Sequence, residues 1–306
     1  MNLRYRDAGL FFTAAMLTGA MYVANKAGLP YLPPVFFASL RFLIAAALLL
    51  PYIALRSEPL RPQSHTDYLT ILASGGLVVG AANVFLFIGQ QYTTSATAAI
   101  LISLSPILTV GLAAAVLPSN RLTWRSVFGV ILGLVGVGIV VHPNPSNLFS
   151  ITMLGMGILF LAALSLAVGG VALRNLQGSL SSLAITAWAT LVGGIAMLVL
   201  SLARGEPVAA TSWSRVALFA VVYNGVIATP IGYIAYFSLL ESVGPVRVNL
   251  LTYVSPLVTA VLGWLLLGEQ LSLLTLVGFI VIATGFFLIE YRSLTHEVAR
   301  LRCALS

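Results

Sequence analysis

The side chains in this chain that could do chemistry are few, neutral and set in apolar surroundings. Asn83 is followed one helical turn later by Phe87, so the two can share a face. Ser103, Trp188, Tyr223, Asn224, Thr252 and Tyr253 lie within other apolar runs. Amides and hydroxyls can hold an ammonium and a carboxylate without titrating, and rings accept an apolar side chain. These eight are the candidate lining of a cavity for small neutral or zwitterionic solutes. Packing between helices is the competing use of each, because Ser, Thr and Asn in spans often bond to neighbouring helices.

What is missing excludes several chemistries. Asp7, Glu58, Asp67, Glu206, Glu241, Glu269, Glu290 and Glu297 all fall at run ends or in loops. A proton-driven pump for cationic drugs needs a carboxylate within the membrane, so that activity is disfavoured. A phosphate dianion needs convergent cations, and only Arg41, Lys26 and Arg247 lie near the runs. His65, His142 and His296 fall in loops or the tail, with no Ser-His pairing, acidic dyad or HExxH motif. Catalysis is therefore not expected. Cys303 is the only cysteine, which excludes an internal disulfide, and no metal or cofactor is expected.

The elements that carry these residues are membrane helices. Of 306 residues, 59% are hydrophobic and 8% charged, against about a quarter charged in soluble domains. The apolar runs predict ten spans near 9–25, 35–55, 68–90, 95–117, 124–142, 151–173, 181–203, 214–240, 245–267 and 272–291. The first begins close to Met1 without a clear cleavage site after it, and reads as a retained span. The net charge of +7 is distributed for topology, not for nucleic acid. Arg4, Arg6, Arg56, Arg61, Arg121, Arg125, Arg174, Arg247, Arg292, Arg300 and Arg302 fall on one side of the membrane, and Lys26, Arg204 and Arg215 on the other. Basic residues mark the cytoplasmic side, so both termini are expected there, in a multi-pass protein of a bacterial inner membrane.

The chain also repeats itself. Ser105-Pro106-Ile107-Leu108-Thr109 recurs 150 residues on as Ser255-Pro256-Leu257-Val258-Thr259. Leu122-Thr123, Gly129 and Gly136 pair with Leu271-Ser272, Gly278 and Gly285 at a spacing of 149, after one added residue around Pro118–Arg121. Five spans per copy invert the second half relative to the first, the build of alternating-access transporters. The expected fold is all-α and polytopic, with two inverted five-helix repeats, residues 1–147 and 148–306.

These features resemble the EamA-type branch of the drug/metabolite transporter superfamily. The second half shows its signature well in Pro256, Leu267-Gly268-Glu269, Gly278 and Gly285; the first keeps Pro106, Gly129 and Gly136 without the glutamate. Arg41, early in the second span, also looks like the family. In length, neutrality of its spans and aromatic content the chain resembles bacterial amino-acid and metabolite exporters of that family. The resemblance implies a secondary transporter exporting small neutral or zwitterionic metabolites, aromatic or neutral amino acids foremost, by alternating access; multidrug efflux, another metabolite carrier or a channel are the alternatives.

Mid-span Pro106, Pro256 and Pro230 each remove a backbone hydrogen bond, and are expected either to act as gating hinges or to shape fixed curvature. Gly129, Gly133 and Gly136, with Gly278 and Gly285, are expected to be packing faces, with dimerisation through them as the alternative to a monomer. Arg41 lies about six residues, roughly 9 Å, into its span, so it is expected to reach the outer interface or cap carbonyls. Glu269 is expected to cap a helix, and Tyr22 and Trp124 to join interfacial aromatic belts.

Overall fold

The computed structural model describes residues 2–56, 59–116, 123–142, 149–174, 176 and 178–303. The residue added between Pro118 and Arg121 lies outside them. Among the described residues, ten helices are long and apolar enough to cross a membrane: α1 (Tyr5–Gly28), α2 (Pro34–Leu55), α3 (His65–Gln90), α4 (Ser95–Val116), α5 (Trp124–Val141), α6 (Ile151–Leu173), α7 (Ser182–Ala203), α8 (Arg215–Val243), α9 (Arg247–Leu267) and α10 (Leu273–Tyr291). Helices form because each satisfies its own backbone where lipid offers no partner. Hydroxyls begin most of them: Ser64, Thr94, Thr123, Ser150, Ser181 and Ser214 each accept the amide three residues on. Helix α2 is different, because Pro33 precedes it and offers no side-chain cap.

Packing follows the repeat. Helix α1 lies against α8 and α9, and its counterpart α6 lies against α3 and α4. Counterparts α2 and α7 pack on each other, as do α5 and α10. The α5–α10 seam is backbone on backbone: a Cβ on Gly129 would sit 2.5 Å from the Gly285 carbonyl oxygen, and one on Gly136 2.8 Å from that of Gly278. Gly133 also faces Ile107 and Leu104 of α4.

Two features were not expected. Helices α3 and α8 each contain a π-helical stretch, Ser74–Ala81 and Tyr223–Ala228. Gly75 and Gly225, 150 residues apart, sit in them and let α7 and α2 approach closely, at Val192 and Ile44 respectively. The repeated prolines also differ in setting. Helix α4 breaks after Ile102 and resumes at Ser105, which puts Pro106 in a first turn where no amide is needed. Helix α9 breaks at Leu250, and Pro256 lies inside the continuous piece that follows. Pro230 is the second residue after the π-helical stretch of α8.

Candidate functional site

A cavity of about 510 Å³ lies between α1, α2, α3, α4, α6, α7 and α8, within the range of about 300–1,000 Å³ usual for small-molecule sites. With short connections, successive spans run in opposite directions, which gives the bundle a face carrying the termini and a far face. The cavity wall reaches Leu173 at the end of α6, Thr186 near the start of α7 and Leu240 in the last turn of α8. All three are at the terminal face. Toward the far face it stops at Tyr22, Arg41, Leu86 and Ile102.

The far face is stitched by side chains that cap helix ends of other spans. Glu206, just beyond α7, accepts the amides of Val35 at 3.2 Å and Phe36 at 2.9 Å, and the Ser201 hydroxyl at 2.7 Å. Its carboxylate supplies the cap that Pro33 cannot. Glu269 accepts the Ser95 amide at 3.0 Å and the Ser95 hydroxyl, holding the start of α4 to the end of α9. Gly268, at φ 66°, provides the left-handed turn that brings Glu269 back toward Gly263. The Lys26 ammonium donates to the carbonyls of Gln90 and Gln91 at 3.0 and 3.1 Å, at the end of α3. Gln90 in turn donates to the Tyr22 carbonyl at 2.6 Å. Negative groups meet helix N-termini and the positive group meets a C-terminus, the arrangement favoured by the backbone dipoles.

Of the eight residues proposed as lining, Asn83 is on the cavity wall. Its amide nitrogen donates to Val79 at 2.8 Å, where the π-helical stretch gives way to regular helix. The other seven lie elsewhere. Phe87 is fully buried, edge-on to Phe37 with ring centroids 5.2 Å apart, and Leu86 faces the cavity in its place. Ser103 is spent on the Ile100 carbonyl, where α4 breaks, and Asn224 on that of Ala220. Tyr223 reaches the Leu17 carbonyl at 3.4 Å and stacks on Phe219. Tyr253 packs on Phe286 beside the α5–α10 seam, Thr252 is half-buried on the same helix, and Trp188 donates to the Leu60 carbonyl at 2.7 Å.

Two expectations are corrected in the other direction. Tyr22 belongs to no interfacial belt; it is buried and forms part of the cavity wall. Arg41 reaches neither the interface nor backbone carbonyls. It is 5% exposed, its Nε donates to the Thr229 hydroxyl at 2.8 Å, and its guanidinium carbon stands 4.7 Å from the Phe42 ring centre. It is the one charged residue among the described residues that line the cavity, so the lining is not neutral. Tyr233, Tyr236 and Phe237 complete the aromatic wall. The sequence signal for Arg41 was its charge inside a span, which the membrane tolerates where a protein interior or a function needs it. For the three rings of α8 there was only their position after Pro230.

Ten spans in two related halves around a largely apolar cavity with a few polar groups are the build of a membrane transporter. The EamA-like transporter family matches residues 8–142 and 153–291, and the chain belongs to that family. An uncharacterized transporter of Archaeoglobus fulgidus is 26% identical over 271 residues, 89% of this chain and 94% of that one. The uncharacterized inner membrane transporter YedA of Escherichia coli is 28% identical over 274 residues, 86% of this chain and 84% of its own. A WAT1-related chloroplastic protein of Arabidopsis thaliana is 26% identical over 279 residues. That match takes in 89% of this chain but 66% of the plant protein, so the chain spans just under two thirds of that relative. A solved crystal structure superposes with a TM-score of 0.66 at 20% identity, over 93% of this chain and 96% of its own, a likeness of fold.

Proposed function

We propose that this transporter exports small neutral or zwitterionic metabolites, aromatic or neutral amino acids foremost, across a bacterial inner membrane by alternating access, with both termini in the cytoplasm. On this reading the structure is the inward-open state. The observation that carries it is the polarity of the cavity: it runs to the terminal face, while Glu206, Glu269 and Lys26 close the far face. The excess of arginine on the terminal face supports a cytoplasmic assignment. Tyr22, Phe42, Tyr233 and Tyr236 offer aromatic contact, and Asn83 and Arg41 offer polar contact, as an amino acid requires.

The test is uptake of labelled phenylalanine, tryptophan, threonine and methionine into proteoliposomes, with and without a pH gradient. Saturable uptake indifferent to the gradient is expected, because no acidic residue lines the cavity among the described residues. Gradient-driven movement of a cationic dye with no amino-acid uptake would overturn the proposal.

A further inference from the structure

We infer that Arg41 anchors the solute by a carboxylate, and that the ammonium of an amino acid contributes little to its recognition. The inference rests on the central cavity being the transport site and refines which solutes enter it.

Arg41 is on the cavity wall, with its guanidinium held at one edge and one donor beyond that edge unmet. Thr229 holds Nε at 2.8 Å, and Phe42 lies along the charged group. Thr229 is itself placed by the fold, at the point where α8 resumes after its π-helical stretch. Nη1 is buried without a hydrogen-bond partner. A residue that only tied α2 to α8 would have no reason to leave this donor unmet, since an unpaired buried donor is costly. Among the described residues, no aspartate or glutamate lines the cavity to balance the charge. The unmet Nη1 is a charged donor that a carboxylate entering from the cavity would satisfy in a charge-assisted hydrogen bond.

The rest of the wall says what the anchored molecule looks like. Tyr22 and Tyr233 line the same cavity as Arg41 and supply ring faces and phenolic oxygens. Asn83 and Thr18 offer neutral polar atoms on the same wall. An ammonium in this cavity meets dipoles and rings only, whereas a carboxylate meets a full opposite charge. A monocarboxylate with an apolar or aromatic body is therefore the best-matched solute, and an amine of the same body the worst.

The test uses purified full-length protein in nanodiscs and labelled 3-phenylpropanoate, with phenylalanine and phenethylamine as competitors. Phenylpropanoate is expected to bind saturably, phenylalanine to displace it, and phenethylamine to fail. Arg41→Gln is expected to weaken binding about ten- to hundredfold, the loss typical of a charge-assisted pair. Arg41→Lys should recover part of it, since the charge returns without the planar fork. Thermal unfolding of each variant confirms the fold, and the competitor series on the unaltered protein needs no variant at all. Absence of phenylpropanoate binding, displacement by phenethylamine as effective as by phenylalanine, or undiminished binding in Arg41→Gln would overturn the inference. Phenylalanine uptake unchanged in Arg41→Gln would remove the anchor and leave amino-acid export standing. Arg41-dependent phenylpropanoate binding without phenylalanine uptake would do the reverse.

Discussion

The two faces of the bundle are related by the inverted repeat, yet they are held differently. At the far face, Glu206, Glu269 and Lys26 each reach from one span to the helix end of another. At the terminal face, Asp67 caps its own helix through Ser64 and also accepts the amide and hydroxyl of Ser179, joining the start of α3 to the approach to α7. The cavity wall reaches this face at Leu173, Thr186 and Leu240. The contrast begins in the sequence. Where the second half reads Leu267-Gly268-Glu269, the first reads Leu117-Pro118-Ser119, so the repeat-equivalent position offers no carboxylate. Ties made of charge on exposed backbone ends can exchange for water when spans part, which suits a gate better than an apolar seal.

Four substitutions would break or sharpen this contrast. The largest effect belongs to the α5–α10 seam, which spans both faces and supports them alike. Gly129→Val would drive its Cβ into the Gly285 carbonyl and Ile289. Overpacking of this kind should destabilise by about 3 kcal/mol or more, seen as loss of monodisperse protein in size-exclusion chromatography. If the variant purified normally, the seam would not be the common support.

Glu206→Ala should act on the far face alone. It strips the amides of Val35 and Phe36 of their acceptor, at about 1.5–3 kcal/mol for a charged partner. In a Cys303→Ser background, a cysteine placed at buried Leu32 should then react with an impermeant maleimide about tenfold faster or more. An unchanged rate would show that Glu206 does not hold this face shut.

Glu269→Gln should be milder, because an amide oxygen still accepts from the Ser95 amide while the charge is lost. About 1 kcal/mol and a several-fold rise in Leu32→Cys labelling are expected. Lys26→Met should have the smallest effect, about 0.5 kcal/mol, since the two carbonyls it leaves at the far face can turn to water. Equal labelling rates in Glu206→Ala and Lys26→Met would erase the ranking of the ties.

The fold was legible because its signals are local or periodic. Apolar run length gave ten spans whose edges agree with the helices to within a few residues. The Ser-Pro repeat pointed to two related halves, and the spaced glycines of the fifth and tenth spans to close packing. Of the eight residues read from sequence as cavity lining, Asn83 alone lies on the wall of this cavity. Helices that are apolar nearly all round carry no mark of which face meets a cavity, so Phe87 and Tyr253 read from sequence as well as Leu86 or Tyr236. The π-helical stretches add a second difficulty: each turns the residues after it relative to those before, and nothing in Gly75-Gly76 or Gly225 announces an extra residue in the turn.

Composition and spacing by themselves determined that the chain spans a membrane ten times, repeats itself and offers no acidic residue at mid-membrane. Those properties follow from hydrophobic length and charge placement, which need no partner to be read. Tertiary structure decided that Arg41 belongs to the cavity rather than the interface, and that Glu206 and Glu269 latch the far face. Each of those facts depends on a residue more than 150 positions away in the chain, Thr229, Val35 or Ser95, brought within hydrogen-bond reach by packing alone.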